Sequence, residues 1–85
     1  MKKFYFTFGV GSTRDTGMMY SGGHVLVYAE TMRESQEKFK KRFPHPKENT
    51  NPYILNCAFF YTEEEFKPKT GTFYGNMYEC REVIE

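Results

Sequence analysis

Three phenylalanines at alternate positions near the start of the chain constrain its fold more than any other feature. Phe4, Phe6 and Phe8 share one side of an extended segment. The intervening Tyr5 and Thr7 point to the other side, which is the period of two expected of a strand buried on one face. The chain has nine Phe, seven Tyr and no Trp, so aromatic rings have to supply much of its core.

A second strand and a helix follow in the central part of the chain. His24 to Glu30 alternates again, with Val25 and Val27 on one face. Thr31 and Glu34 stand at capping-box spacing, and Pro44 ends the apolar periodicity. We therefore expect a helix over 32–43 whose apolar stripe (Met32, Ser35, Phe39, Phe43) packs onto Val25, Val27, Phe4, Phe6 and Phe59.

The remaining chain predicts loops, a central strand and two short elements. Loops are expected at 9–23, which holds five of the seven glycines, at 44–52, and at 67–76. Apolar residues on both faces of 53–61 indicate a central strand with Leu55, Cys57, Phe59 and Tyr61 pointing inward. A helical turn at 63–67 with Phe66 folded back and a last strand within 77–84 complete the prediction.

These elements predict an α+β fold in one domain, residues 1–85. The order is β-β-α-β-(short α)-β, with an antiparallel sheet of three to four strands and the main helix on one face. A formal charge of +1 gives no overall field that would attract nucleic acid or an anionic membrane. No apolar stretch has the length of a membrane span or a signal peptide, so a cytoplasmic location is expected, with neither membrane nor nucleic acid as partner.

Glycines and polar residues around the first loop are the candidates for ligand binding. Backbone amides, two hydroxyls, a guanidinium and a nearby ring can hold an anionic nucleotide. No phosphate-loop or dinucleotide fingerprint follows, so no cofactor is expected. The candidate residues are Gly9, Gly11, Ser12, Thr13, Arg14, Gly22, Gly23, His24 and Tyr28; a plain hairpin loop and a surface histidine are the competing interpretations.

The sheet face opposite the helix is the candidate interface. One helix covers one face, and an exposed apolar patch on the other is uncommon in a monomer. We expect a homodimer or a partner protein to cover Tyr5, Leu26, Tyr28, Ile54 and Phe60. The basic residues Lys38, Lys40, Lys41, Arg42 and Lys47 are a second candidate surface, with a solvated helix end as the competing interpretation.

No residue pattern points to catalysis. Cys57 lies in an apolar run that should raise its thiol pKa, and Glu63–Glu65 is explained by helix capping. Cys57 and Cys80 are too few for a disulfide scaffold, so free thiols are expected, and with His24 and His45 they lack zinc-ligand spacing, so no metal is expected. The sequence predicts that the protein is not an enzyme; a small phosphoesterase or nuclease is the competing class.

Three stretches resemble a family of small proteins encoded by phages and prophages of Gram-positive bacteria. They are Lys3–Gly9, Val25–Thr31 and Asn56–Phe66, so the resemblance spans residues 3–66. It implies a non-catalytic protein that interferes with host antiviral defence. Two modes are open: sequestration of an anionic nucleotide signal, or inhibition of a host defence protein in the manner of anti-CRISPR proteins.

Overall fold

A computed structural model describes residues 1–9, 19–44, 55–66 and 78–85 as a small α+β domain, as predicted. Its elements are β1 (Lys2–Thr7), β2 (His24–Ala29), α1 (Met32–Arg42), β3 (Phe59–Thr62), α2 (Glu63–Phe66) and β4 (Cys80–Ile84). The element order matches the prediction, and the last strand is shorter than expected. The predicted loop at 67–76 and most of those at 9–23 and 44–52 fall outside the described residues.

The four strands form one sheet in the order β3-β1-β2-β4. β1 pairs antiparallel with both β2 and β3, whereas β4 runs parallel to β2. The sheet is therefore mixed rather than wholly antiparallel. Because β1 is antiparallel to both β2 and β3, those two strands run in the same direction, and β4 shares it.

The first face of the sheet, which packs on α1, carries the core. Phe6 stacks on Phe39 of α1 with ring centroids 4.4 Å apart. Met32 is partly buried against the same cluster, and Ser35 donates from Oγ to the Met32 carbonyl at 2.6 Å. The predicted helix stripe is confirmed, and the core cluster consists of Phe4, Phe6, Phe8, Val25, Val27, Ala29, Phe39 and Phe43.

Local capping sets the ends of α1. The Glu34 amide donates to the Thr31 hydroxyl at 3.1 Å, as the capping box predicts. The Glu34 carboxylate accepts from the amide of Glu30 at 3.3 Å, one residue before the expected donor. At the other end Phe43 is the cap residue, and the guanidinium of Arg42 lies 4.5 Å from its ring.

The prediction of a central strand over 53–61 is wrong for its described part, 55–61, although Leu55 and Cys57 pack against the core as expected. β3 begins at Phe59 and is an edge strand of the described sheet. Its register pairs Phe60 with Phe6 and Phe59 with Thr7, so Phe60 lies on the first face and Phe59 on the second. The alternation changes phase because the chain just before Phe59 is bent rather than extended. Phe59 is consequently 65% exposed instead of belonging to the core.

The short helix α2 has a complete capping box. The Thr62 amide donates to the Glu65 carboxylate at 2.9 Å, and the Glu65 amide donates to the Thr62 hydroxyl at 3.2 Å. This reciprocal pair turns the chain sharply at the end of β3. Phe66 folds back over the second face of the sheet, as predicted, and is 6% exposed.

Candidate functional site

The described end of the glycine loop is a backbone junction between β1, β2 and the start of β4. The Gly22 amide donates to the Gly9 carbonyl at 3.1 Å, and the His24 amide donates to the Glu79 carbonyl at 2.8 Å. Gly22 and Gly23 have φ angles of +76° and +82°, which favour glycine. The two amides at Gly22 and His24 therefore bind carbonyl groups of the chain itself.

Arg81 organises this junction, although no pattern in the sequence points to it. Its Nε donates to the Gly22 carbonyl at 3.2 Å and its Nη2 to the Ser21 carbonyl at 3.1 Å. The guanidinium also pairs with Glu79 at 3.4 Å and lies 5.8 Å from the Tyr20 ring. Gly23 has to be glycine here, because its φ is +82° and an added Cβ would lie 2.8 Å from the Glu79 carbonyl oxygen, and also 2.5 Å from Arg81 Nε. In the sequence, Arg81 stands out only as the single cation in the segment predicted as the last strand.

The predicted ligand-binding residues do not all come together. Tyr28 pairs with Lys3, whereas His24 pairs with Thr7 at the loop end of the same strand. Four residues along a strand separate them by roughly 13 Å. Gly11, Ser12, Thr13 and Arg14 lie outside the described residues, so ligand binding by this loop stays a prediction.

The second face of the sheet carries a stack of rings centred on Phe66. Tyr5 and Phe66 stack with centroids 4.3 Å apart and planes 6° apart. His24 meets both rings edge-on, at 5.3 Å from Tyr5 and 5.1 Å from Phe66. His24 is only 6% exposed, so the interpretation as a surface histidine is wrong. Phe66 covers His24 because α2 is short and begins directly after β3.

Further rings surround this stack and reach the surface. Tyr78 lies 5.0 Å and Tyr61 lies 5.9 Å from Phe66, and Phe59 follows 6.5 Å from Tyr61. On the β4 side Val83, which pairs with Leu26, is 49% exposed. We call this surface the aromatic face; it consists of Tyr5, His24, Leu26, Tyr28, Phe59, Tyr61, Phe66, Tyr78 and Val83.

The predicted interface matches the aromatic face in part. Tyr5, Leu26 and Tyr28 lie on it and are half-buried. Phe60 does not, because its register with Phe6 places it on the first face, where it is 42% exposed. Ile54 lies outside the described residues.

Burial controls the titration of two groups near the sheet. Burial raises the pKa of the Tyr5 hydroxyl, and Glu63, Tyr28 and Cys80 raise it further through their negative charge. Burial alone raises the pKa of the Cys57 thiol to about 12, which confirms the predicted direction. Both cysteines are free thiols, also as predicted. Cys80 is exposed and pairs across the strands with His24, whose ring is buried beneath Phe66 rather than in an open cleft.

The basic helix end is partly engaged within the protein. Lys38 donates to the Tyr28 carbonyl at 2.7 Å and pairs with Glu34 at 3.5 Å. Arg42 pairs with Glu82 at 3.0 Å. Lys47 lies outside the described residues. These contacts hold α1 against β2 and β4, which favours a structural role for this end of the helix.

An open cleft of about 680 Å³ lies where the starts of α1 and α2 approach β1. Its walls include Lys2 and Lys3, and also Glu30, Glu63 and Glu64. Both lysines and carboxylates line it, so its charge favours neither anionic nor cationic ligands. The acidic residues at its α2 side serve the helix start, as predicted.

Comparisons with known proteins assign no family to the chain. No protein-family model, curated protein or solved structure matches it. Within the described ranges, no group of three His, Cys, Asp or Glu side chains is placed to hold a metal ion, and no helix is long and apolar enough to cross a membrane.

Proposed function

We propose that the protein is a non-catalytic binding protein that interferes with host antiviral defence by covering the surface of a host protein. The aromatic face carries this proposal, because Phe59 and Val83 remain exposed beside rings that are packed against the sheet. Rings fixed in this way lose little conformational entropy on binding and bury large apolar areas. The resemblance of residues 3–66 to phage proteins supports host defence as the target.

Sequestration of an anionic nucleotide is the other mode that the sequence predicts. It requires amide donors that point to a ligand, yet the Gly22 and His24 amides donate to Gly9 and Glu79. Arg81 is bound to the carbonyls of Ser21 and Gly22. The described contacts at the loop therefore favour a structural role for these residues. Inhibition of a host protein has the stronger support of the two modes.

The test is a phage challenge with variants on the two faces of the sheet. The chain is expressed in bacteria that carry single defence systems, and the plaquing of phages restricted by each system is counted. We expect the wild type to restore plaquing under one system by at least about tenfold. Val83→Glu places a charge on the aromatic face and should abolish this effect.

Phe60→Ser is the matched control, because Phe60 is a partly exposed apolar residue of an edge strand on the opposite face. It should protect phage as well as the wild type does. Unchanged protection by Val83→Glu, or no protection under any system, would contradict the proposal.

Purified protein is also heated with a panel of cyclic and linear nucleotides. Stabilisation by intact nucleotide would favour sequestration, and conversion of the nucleotide would favour the phosphoesterase or nuclease alternative.

A further inference from the structure

The edge strand β3 lacks the usual protection against pairing with another strand. Its sequence, Phe-Phe-Tyr-Thr, contains no charge and no proline, and its four residues pair with β1 in one register, although the Ala58 amide just before the strand donates to the carbonyl of Thr7, the partner of Phe59. Natural edge strands are commonly protected by lysine, proline or a bulge. Among the described residues, β3 is protected only by its shortness and by the offset of Ala58 at its start.

The hydrogen-bond pattern shows which groups of β3 point away from the sheet. The Phe8 amide donates to the Gly23 carbonyl, so the backbone groups of Phe4 and Phe6, which share its alternation, point to β2. Those of Tyr5 and Thr7 therefore point to β3 and meet Tyr61 and Phe59.

It follows that the backbone groups of Phe60 and Thr62 point outward from β1. The Thr62 amide is bound by the Glu65 carboxylate at 2.9 Å. Phe60 thus presents both an N–H and a C=O group along the outer edge of the described sheet. An antiparallel strand placed opposite Phe60 forms two hydrogen bonds with this one residue.

The exposed rings of β3 also favour contact at the edge. Phe59 and Phe60 are 65% and 42% exposed and lie on opposite faces. A partner that lies flat on one face covers only one of these rings. A strand that continues the sheet brings side chains beside both.

We propose that the strand that pairs with β3 is the same strand of a second copy, antiparallel, with Phe60 of each copy opposite Phe60 of the other. This register places Phe59 beside Tyr61 of the second copy on the aromatic face, twice by symmetry, so aromatic pairs form on both faces. The two aromatic faces become one continuous surface. The proposal goes beyond the proposed function, since it requires no host protein.

The charges near β3 are compatible with a second copy of the chain at this edge. Each β3 is followed by Glu63, Glu64 and Glu65, and in the antiparallel register the uncharged Cys57 and Ala58 of the second copy lie at that end. The two acidic turns are about six residues apart along the paired strands, or roughly 20 Å. This exceeds the screening length of about 8 Å at physiological salt, so the acids do not repel one another appreciably. Because β3 is only four residues long, the dimer is weak and depends on concentration.

The test places a positive or a negative charge at Phe60, because this residue lies opposite Phe60 of the second copy in the proposed dimer. Wild type, Phe60→Lys and Phe60→Glu are examined by sedimentation equilibrium up to about 1 mM, a range that detects weak dimers. We expect the wild type to dimerise and each charged variant to be at least about tenfold weaker, because like charges directly opposite are destabilising. An equimolar mixture of the two variants should recover the dimer.

Phe60 is on the surface and its backbone makes no ladder bond to β1, so both variants should fold, which circular dichroism verifies. Val83→Glu is the matched control on the other edge strand and should dimerise like the wild type, which separates this test from that of the proposed function. A monomeric wild type at about 1 mM, charged variants that dimerise normally, or a mixture that stays monomeric would each overturn the proposal.

Discussion

The two faces of the sheet differ in how much of each a helix covers. The 11-residue α1 is about 16 Å long and buries Phe39, with Phe43 at its end, against the first face. The four-residue α2 is about 6 Å long and covers only the region around Tyr5 and His24. The first face is therefore buried around Phe6 and Phe39, with Phe60 partly exposed at its edge, whereas the second face is covered only near Phe66 and leaves Phe59 and Val83 exposed. The shorter helix thus leaves more apolar surface exposed on its face.

Removal of the central ring of the first face should have the largest effect on stability. Phe39 is fully buried and stacks on Phe6. Phe39→Ala should lower the free energy of unfolding by about 3–5 kcal/mol, measured by urea denaturation. Phe59→Ala on the aromatic face is the control and should change it by less than about 0.5 kcal/mol. Equal losses in the two variants would show that the faces are not distinct.

Removal of the central ring of the aromatic face should cost less. Phe66 stacks on Tyr5 and is nearly buried, but it is held by a helix of only four residues. We expect Phe66→Ala to lower the free energy of unfolding by about 2–3 kcal/mol. The same variant should increase the hydrogen-exchange rate at His24 and Tyr5, because their cover is lost. A loss larger than that of Phe39→Ala would reverse the ranking of the two faces.

The junction that joins β4 to the sheet should be sensitive at Gly23. Its φ is +82°, and an added Cβ would lie 2.8 Å from the Glu79 carbonyl as well as 2.5 Å from Arg81. Gly23→Ala should lower the free energy of unfolding by roughly 2 kcal/mol. In the Arg81→Ala background the added loss should be smaller, because one of the two clashes is gone. Purely additive losses would argue against the close approach of Arg81.

Removing a cap from either helix tests the difference between the two faces of the sheet through a smaller expected loss of stability. Thr31→Ala removes the hydroxyl that binds the Glu34 amide and should cost about 1 kcal/mol. Thr31→Ser keeps the hydroxyl and serves as the control. Thr62→Ala removes the equivalent bond in α2 and should loosen mainly the aromatic face, visible as a change in tyrosine fluorescence. A null result for Thr31→Ala would indicate that packing alone holds the start of α1.

The smallest effect concerns the chemistry of the two thiols. With a pKa of about 12, Cys57 is thiolate in only about one molecule in ten thousand at about pH 8. We expect iodoacetamide to alkylate the exposed Cys80 first, as mass spectrometry of timed samples would show.

The pKa of Cys57 is higher in the folded chain than its ordinary value of 9.0, so the unfolded chain binds fewer protons above that pH. Stability should therefore fall as pH rises from about 9 towards 12, and Cys57→Ser should reduce this slope.

Much of the fold could be predicted because its signals are local. The alternation of Phe4, Phe6 and Phe8, the stripe that contains Phe39, and the two capping boxes each depend on a few neighbouring residues. The same reasoning predicted that Tyr5 and Leu26 lie on the face opposite α1, and the register of β1 and β2 places them there. It missed Arg81 because the role of that side chain depends on carbonyl groups about 60 residues away.

The sequence by itself determined β1, β2 and the two helices, and which residues share a side within β1, β2 and α1, but not that the chain just before Phe59 is bent. Only the tertiary structure decided strand order, the parallel direction of β4 and the face on which each side of β3 lies. Alternation specifies that Phe59 and Phe60 point in opposite directions, but not which of them points to the core. The pairing of Phe60 with Phe6 sets that, and such a pairing is a contact between distant parts of the chain that no local pattern encodes.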